Sequence, residues 1–231
     1  MKTFWTATAA AATCFAAPAS ATELTITVLD RSGKPLQDAV VQLDSGMAGV
    51  RPSGGTEFTI SQEKLRFVPA VSVVPLGAKV NFSNLDSWDH HVIAGLMGPG
   101  GVYLDGGKNT QMRLAGRIAG RAPTIEAKTF SQPGAYLLGC HLHNSMRGHL
   151  FVADSPWAKL SGEDGRVQFA DLPSGPARLR VWHADQLLEG SPVEVQLAAG
   201  AGTAQALSLP TSISPRRRPA ERKPEPSGSG Y

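Results

Sequence analysis

Apolar and polar residues alternate with a period of two in short runs along this chain, and the 3.6-residue period of an amphipathic helix is almost absent. Leu24, Ile26 and Val28 alternate with Thr25 and Thr27, which predicts a strand over Leu24–Leu29. Asp30-Arg31-Ser32-Gly33-Lys34-Pro35 supplies turn residues, and Ala39–Leu43 reads as the returning strand of a hairpin. Further strands are expected at Leu65–Val68, Val71–Val74, Lys79–Ser83, Thr124–Phe130, Ala135–Cys140 and Gly148–Ala153. A second pattern begins after Ser155-Pro156, with strands at Arg166–Phe169, Ala177–Trp182 and Val193–Leu197. Between Gly95 and Arg121 the text turns glycine-rich and reads as an irregular insertion, longer than an ordinary hairpin loop. The expected class is all-β, with enough strands for sandwiches.

Composition and charge refine this picture at the two ends. Lys2, an apolar Ala-rich run from Phe4 to Ala17 and Ala19-Ser20-Ala21 have the order of an export signal, so residues 1–21 are read as a signal peptide and the mature protein as periplasmic. That run is too short and too alanine-rich for a membrane span, so none is expected in the mature protein. The formal charge of +3 is carried by the termini: Lys2 supplies one unit and the tail after Pro210 three, which leaves the body at −1. The tail, 210–231, is basic and Pro-rich, with no aromatic residue interleaved among its basic ones. It reads as a solvated disordered segment, not as a nucleic-acid surface.

With residues 1–21 removed, Cys140 is the only cysteine, so no intramolecular disulfide is available. A lone thiol in an oxidising compartment is protected by burial or by a metal. Its surroundings favour the metal: Cys140, His143 and Met146 place a thiolate, an imidazole and a thioether at three-residue spacing just after a strand. Two histidines, one thiolate and a weak axial Met form the donor set of a blue-copper electron-transfer site. Asn84-Leu85-Asp86-Ser87-Trp88-Asp89-His90-His91-Val92 follows another strand and offers the missing imidazole from a loop, with His90 as the first choice and His91 left as an alternative. His141 falls on the opposite face of its strand, Trp88 is read as packing, and His183 is given no metal role. Met97 and Met112 are read as covers of apolar surface rather than as a second Cu(I) site.

These segments resemble the cupredoxins, in particular amicyanin and the plastocyanin-like proteins associated with methylamine utilisation, over roughly Phe67–Val152. Cys140, His143, Met146, Arg147 and Gly148 stand in the order of the short ligand loop of that family, preceded by Pro133-Gly134-Ala135-Tyr136, and Asn84, Asp86, His90 and Val92 match its other segment. His91 stands where relatives commonly have Asn, and the 95–121 insertion has no obvious counterpart in amicyanin. The resemblance implies a Greek-key β-sandwich at 57–154 and one mononuclear type 1 copper ion held by His90, Cys140, His143 and Met146. The flanks, 22–48 and 156–209, resemble a carboxypeptidase regulatory-like (transthyretin-like) module, which implies one small discontinuous β-sandwich.

The resulting expectation is an exported single-electron carrier that serves periplasmic redox protein partners and is not itself an enzyme. One mononuclear site with four protein donors leaves no position for substrate, and the sequence shows no second copper cluster. The alternative is a periplasmic copper-binding or copper-handling protein without a role in a redox chain.

Overall fold

The computed structural model describes residues 22–46, 57–98, 102–104, 109–186, 190–198 and 203–215. Residues 1–21, read above as an export signal, and the tail from 216 onward lie outside them. Every element among the described residues is a strand, and no helix there is long and apolar enough to cross a membrane. The first two strands are β1 (Thr22–Leu29) and β2 (Val40–Asp44). Nine follow: β3 (Glu57–Glu63), β4 (Arg66–Val68), β5 (Val71–Pro75), β6 (Lys79–Asn84), β7 (His90–Leu96), β8 (Thr110–Leu114), β9 (Thr124–Thr129), β10 (Gly134–Cys140) and β11 (Arg147–Ala153). Five more complete the set: β12 (Trp157–Leu160), β13 (Arg166–Leu172), β14 (Gly175–Trp182), β15 (Val193–Leu197) and β16 (Thr203–Pro210).

These strands form four sheets around two apolar cores. The larger sandwich faces a five-stranded sheet, ordered β5-β11-β10-β7-β8, with a four-stranded sheet, ordered β4-β3-β6-β9. Alternation decides what enters its core: Tyr136, Leu138 and Cys140 of β10 point inward with Val92 and Ala94 of β7 and Leu150 and Val152 of β11. Phe67, Phe82, Leu138 and Leu150 are each at most 2% exposed, and burial of such a side chain contributes about 1.5–3 kcal/mol. Gly148 must lack a side chain, because a β-carbon there would lie 2.8 Å from Phe67 Cβ. Gly148→Ala is accordingly expected to cost about 1–3 kcal/mol through overpacking, read as a lower denaturation midpoint.

The smaller sandwich packs the sheet β13-β1-β16 against β12-β2-β14-β15. Leu24, Ile26 and Val28 from one sheet meet Val41, Leu43 and Leu179 from the other in its core. The hairpin expected between the first two strands is therefore not formed. β1 pairs with β13 and β16, and β2 pairs with β12 and β14. Alternation identified the inward faces correctly, but the faces meet across the core instead of along one ladder. The connection crosses between sheets after a single bridge from Leu29 to Pro35, and Asp38 turns it with φ 60°. The tail boundary also moves, because Thr211 donates to Leu29 O and Ile213, 6% exposed, sits in the smaller core. The two sandwiches touch where Trp182 packs against His149 and Phe151, ring centroids 5.7 Å apart in both pairs. Beside it, Arg180 bonds Asp44 and Asp154 at 2.9 Å each.

The segment expected to be irregular contains β8, which extends the five-stranded sheet by pairing with β7. Met112 of β8 is buried in the larger core, whereas Met97 lies past the end of β7 in a bridge to Tyr103.

Candidate metal centre

The centre is assembled at the end of the larger sandwich where β7 begins and β10 ends. Cys140 is opposite Val92 in the β10–β7 ladder, so His90, two residues before Val92, lies on the same inward face as the thiol. His90 is thus the first residue of a strand and not a loop residue as expected. His91 takes the opposite face, where its ring meets His141 edge-on at 4.9 Å between centroids. Of the two adjacent histidines, it is His90 that faces the sulfur.

From Cys140 the chain makes two tight turns before β11. His143 N–H donates to Cys140 O at 3.4 Å, and Met146 N–H donates to His143 O at 2.9 Å. These turns return the His143 ring to the thiol and place Met146, 1% exposed, in the core beside Cys140. His90 and Cys140 are 0% and 5% exposed. His143 is half-buried and forms the edge of the centre nearest solvent.

Three donor atoms converge. Cys140 Sγ is 3.7 Å from His90 Nδ1 and 3.5 Å from His143 Nδ1, and the two Nδ1 atoms are 3.2 Å apart. A point in the plane of this triangle lies about 2 Å from all three atoms, the length of a bond from a transition metal to imidazole. Lone pairs of two imidazoles and a thiolate facing one another at these distances require a cation or a proton among them. The donor chemistry therefore fits a borderline or soft metal ion.

The orientation of His90 is set from behind. Its Nε2 lies 3.0 Å from Asp86 Oδ2, so the carboxylate holds the proton on Nε2 and leaves the Nδ1 lone pair directed at the centre. Burial tends to raise the Asp86 pKa. The backbone bond from Leu65, the His90 ring and the backbone bond from Lys64 more than offset it, and the carboxyl is held below its ordinary value of 3.8. Those backbone donors belong to the two-residue turn between β3 and β4, where Lys64 and Leu65 have φ 52° and 59°. Left-handed backbone at both positions is the type I′ geometry usually supplied by Asn or Gly. Here Asp86 steadies it by accepting Lys64 N–H at 2.6 Å and Leu65 N–H at 3.1 Å.

Asn84, fully buried, ties this loop to its neighbour. Its Oδ1 accepts Asp86 N–H at 2.9 Å, and its Nδ2 lies 2.9, 3.2 and 3.0 Å from the carbonyl oxygens of Trp88, Leu114 and Ala115. Gly116 completes the junction, since a β-carbon there would stand 2.3 Å from Ser87 O. On the outer face of the five-stranded sheet, Tyr103 from the insertion lies across Gly95 and Gly139, with its hydroxyl 3.1 Å from where a Gly139 β-carbon would be. Burial raises the Tyr103 pKa, and Arg147 partly opposes the shift.

The histidine and cysteine positions expected from sequence thus meet around one point, and Met146 is buried beside them. Met97 and Met112 stand apart from the centre. His183 is buried and engaged with backbone, its Nε2 3.2 Å from Gln37 O and its Nδ1 accepting Asp185 N–H at 3.1 Å. Trp88, expected to pack, is 48% exposed. The roles of Lys64, Leu65 and Tyr103 carried no sequence signal, because neither a turn without Gly nor a tyrosine within a glycine-rich insertion marks what it will cover.

No protein-family model matches the chain, and no curated protein matches it. Among solved structures it is similar to a Cu-containing nitrite reductase from Thermus scotoductus SA-01, at 19% identity over 55% of this chain and 28% of that one, with a TM-score of 0.35. A reduced amicyanin variant matches at 20% identity over 49% of this chain and 98% of its own, TM-score 0.31. Reduced auracyanin from Roseiflexus castenholzii matches at 21% identity over 44% and 99%, TM-score 0.33. The chain spans just over a quarter of the length of the nitrite reductase.

Strand order and burial define an all-β protein built from a larger sandwich and a second, smaller one.

Proposed function

We propose that the chain is an exported type 1 copper protein that carries single electrons between periplasmic redox proteins. The observation that supports this reading best is the convergence of Cys140 Sγ and two Nδ1 atoms around one point, with His90 and Cys140 on strands of a packed sandwich and His143 on the turn that joins β10 to β11. Cys140 would give the strong equatorial bond, His90 and His143 the nitrogen bonds, and Met146 the weak axial contact. A thiolate and a thioether suit Cu(I) and imidazole suits both oxidation states, so one pocket serves both. Four protein donors leave no place for substrate, in keeping with a carrier and not an enzyme. The smaller sandwich is read as the discontinuous transthyretin-like module, and residues 1–21 as the signal that directs export.

The chain's own residues supply orientation and exclusion of water. Asp86 keeps the His90 proton away from the centre, and the core in which Cys140 and Met146 are buried limits access of solvent to it. Burial of this kind favours retention of the metal, which speaks for the carrier over a copper-handling protein that must release it.

Cu(II) added to the mature protein is expected to give one equivalent of an intense visible thiolate-to-copper band, with a narrow copper hyperfine splitting in electron paramagnetic resonance. Cys140→Ser should abolish the band. A colourless complex, or colour surviving in that variant, would sink the reading.

A further inference from the structure

Of the six histidines in the chain, His90 and His143 face the metal centre, His183 is engaged with backbone, and His149 packs on Trp182. The other two, His91 and His141, stand together on the outer face of the five-stranded sheet. Cys140, the last residue of β10, is opposite Val92 in the ladder with β7. One step further, His141 N–H donates to His91 O at 2.9 Å, so the two histidines form a directly opposed cross-strand pair. His91 is half-buried and His141 exposed. Neither imidazole makes a hydrogen bond or an ion pair among the described residues; each ring meets only the other. Their nitrogens are open to solvent or to a ligand.

The spacing of the rings suits a shared ion. A transition metal bonded at about 2.0–2.1 Å to one nitrogen of each ring lies about 3.2 Å from each centroid, and ligand angles between square-planar and tetrahedral then set the centroids about 4.5–5.2 Å apart. The centroids of His91 and His141 are 4.9 Å apart. His90 and His143, whose Nδ1 atoms face each other at the centre, have the same separation. The rings cross at 87° in the outer pair and 62° in the inner one, and the exposed ring of His141 can adjust by rotation about its Cβ–Cγ bond. Arg113 is opposite His91 in β8, but its side chain is 79% exposed and its guanidinium lies 3.7 Å from Asp89 Oδ2, so a carboxylate offsets part of that charge.

We propose that His91 and His141 form a second metal site, which takes a labile divalent borderline ion, Cu(II) more tightly than Zn(II), with water in the remaining positions. Imidazole donors without a thiolate suit these ions, and the preference for Cu(II) follows the general order of affinities. The site needs no ion at the centre and does not rest on the electron-carrier reading. It lies back to back with the centre, because His90 and His91 are consecutive, as are Cys140 and His141, and one of each pair turns inward and the other outward.

The test titrates the tag-free mature chain with Cu(II) and follows the bound metal by equilibrium dialysis and electron paramagnetic resonance. The outer site is expected to bind one equivalent with the wide hyperfine splitting of copper held by nitrogen and oxygen alone. His91→Gln and His141→Gln should each weaken that equivalent ~10-fold or more, since a single imidazole lacks the second, intramolecular bond. His149→Gln, remote from the pair in the ladder, should leave it unchanged. Should copper at the centre also give a wide splitting, the outer equivalent is the one that His141→Gln removes and Cys140→Ser leaves. No equivalent with wide splitting, one that survives both outer substitutions, or one weakened equally by His149→Gln would overturn the site. Copper lost from the centre to the same degree in His141→Gln would make that residue a support of the centre and overturn a separate site as well.

Discussion

Asp86→Ala is expected to weaken copper binding by about 10–100-fold, the usual cost of removing the group that orients a histidine ligand. The substitution frees the His90 ring to take the other tautomer, with its proton on Nδ1 and its lone pair turned away from Cys140. It also releases the turn between β3 and β4, because Lys64 and Leu65 lose the acceptor that steadies two consecutive left-handed residues. Losses of about 1–3 kcal/mol in the metal-free protein should accompany the affinity change. Competitive Cu(I) and Cu(II) titration reads the first effect and chemical denaturation the second. Asp86→Asn separates them, since its amide keeps one acceptor but carries no charge and offers the His90 ring a donor or an acceptor according to its flip. Affinity should fall in both variants, and stability should fall further in the alanine variant.

The second large effect is expected at Asn84. The Nδ2 of this side chain has two hydrogens for three carbonyl oxygens, so its bonds are shared, and all three acceptors lie on segments that flank the centre. Asn84→Asp replaces that donor with a carboxylate pointed at three carbonyls in a fully buried position. An unpaired buried charge costs about 3–5 kcal/mol, whereas Asn84→Ala should cost about 1–3 kcal/mol through unsatisfied groups. Burial and the carbonyl dipoles raise the pKa of the introduced carboxyl in the folded state above its unfolded value. The folded variant then binds a proton more readily than the unfolded chain, and its deficit should shrink as pH falls through the raised folded value. A pH series of denaturation midpoints checks this: recovery on acidification is expected for the aspartate variant and not for the alanine variant. A deficit in the aspartate variant no larger than in the alanine variant would show that Asn84 does not act through its donor side.

Much of this was legible in the sequence because period-two alternation and donor spacing are local. Leu24, Ile26 and Val28 declare their inward face without reference to any partner, and Cys140, His143 and Met146 lie within seven residues of one another. Pairing is not local, and there the sequence was silent: the same alternation suits a hairpin or two strands facing each other across a core, and the chain took the second. β3 was missed because the turn that follows it, Lys64-Leu65, is held by a carboxylate more than twenty residues away instead of by Asn or Gly. β8 was missed because its alternating run, Met112 and Leu114 with Gln111 and Arg113, is short and glycine-rich text surrounds it. His90 and His91 are equivalent as residue types, and only the register of β7 against β10 gives one of them to the interior.

The pairing of Leu43 with Trp157 carries a consequence for assembly. Strands β2 and β12 are the stem of a hairpin whose loop is the entire larger sandwich. Closing about 110 residues of open chain is entropically costly, though the cost grows only logarithmically with length. A loop that has already condensed into a compact body presents far less slack than an unfolded one. The order of events is thereby biased: the nested body forms first and clamps the stem, and the C-terminal strand β16 then slots beside β1 to seal the outer layer.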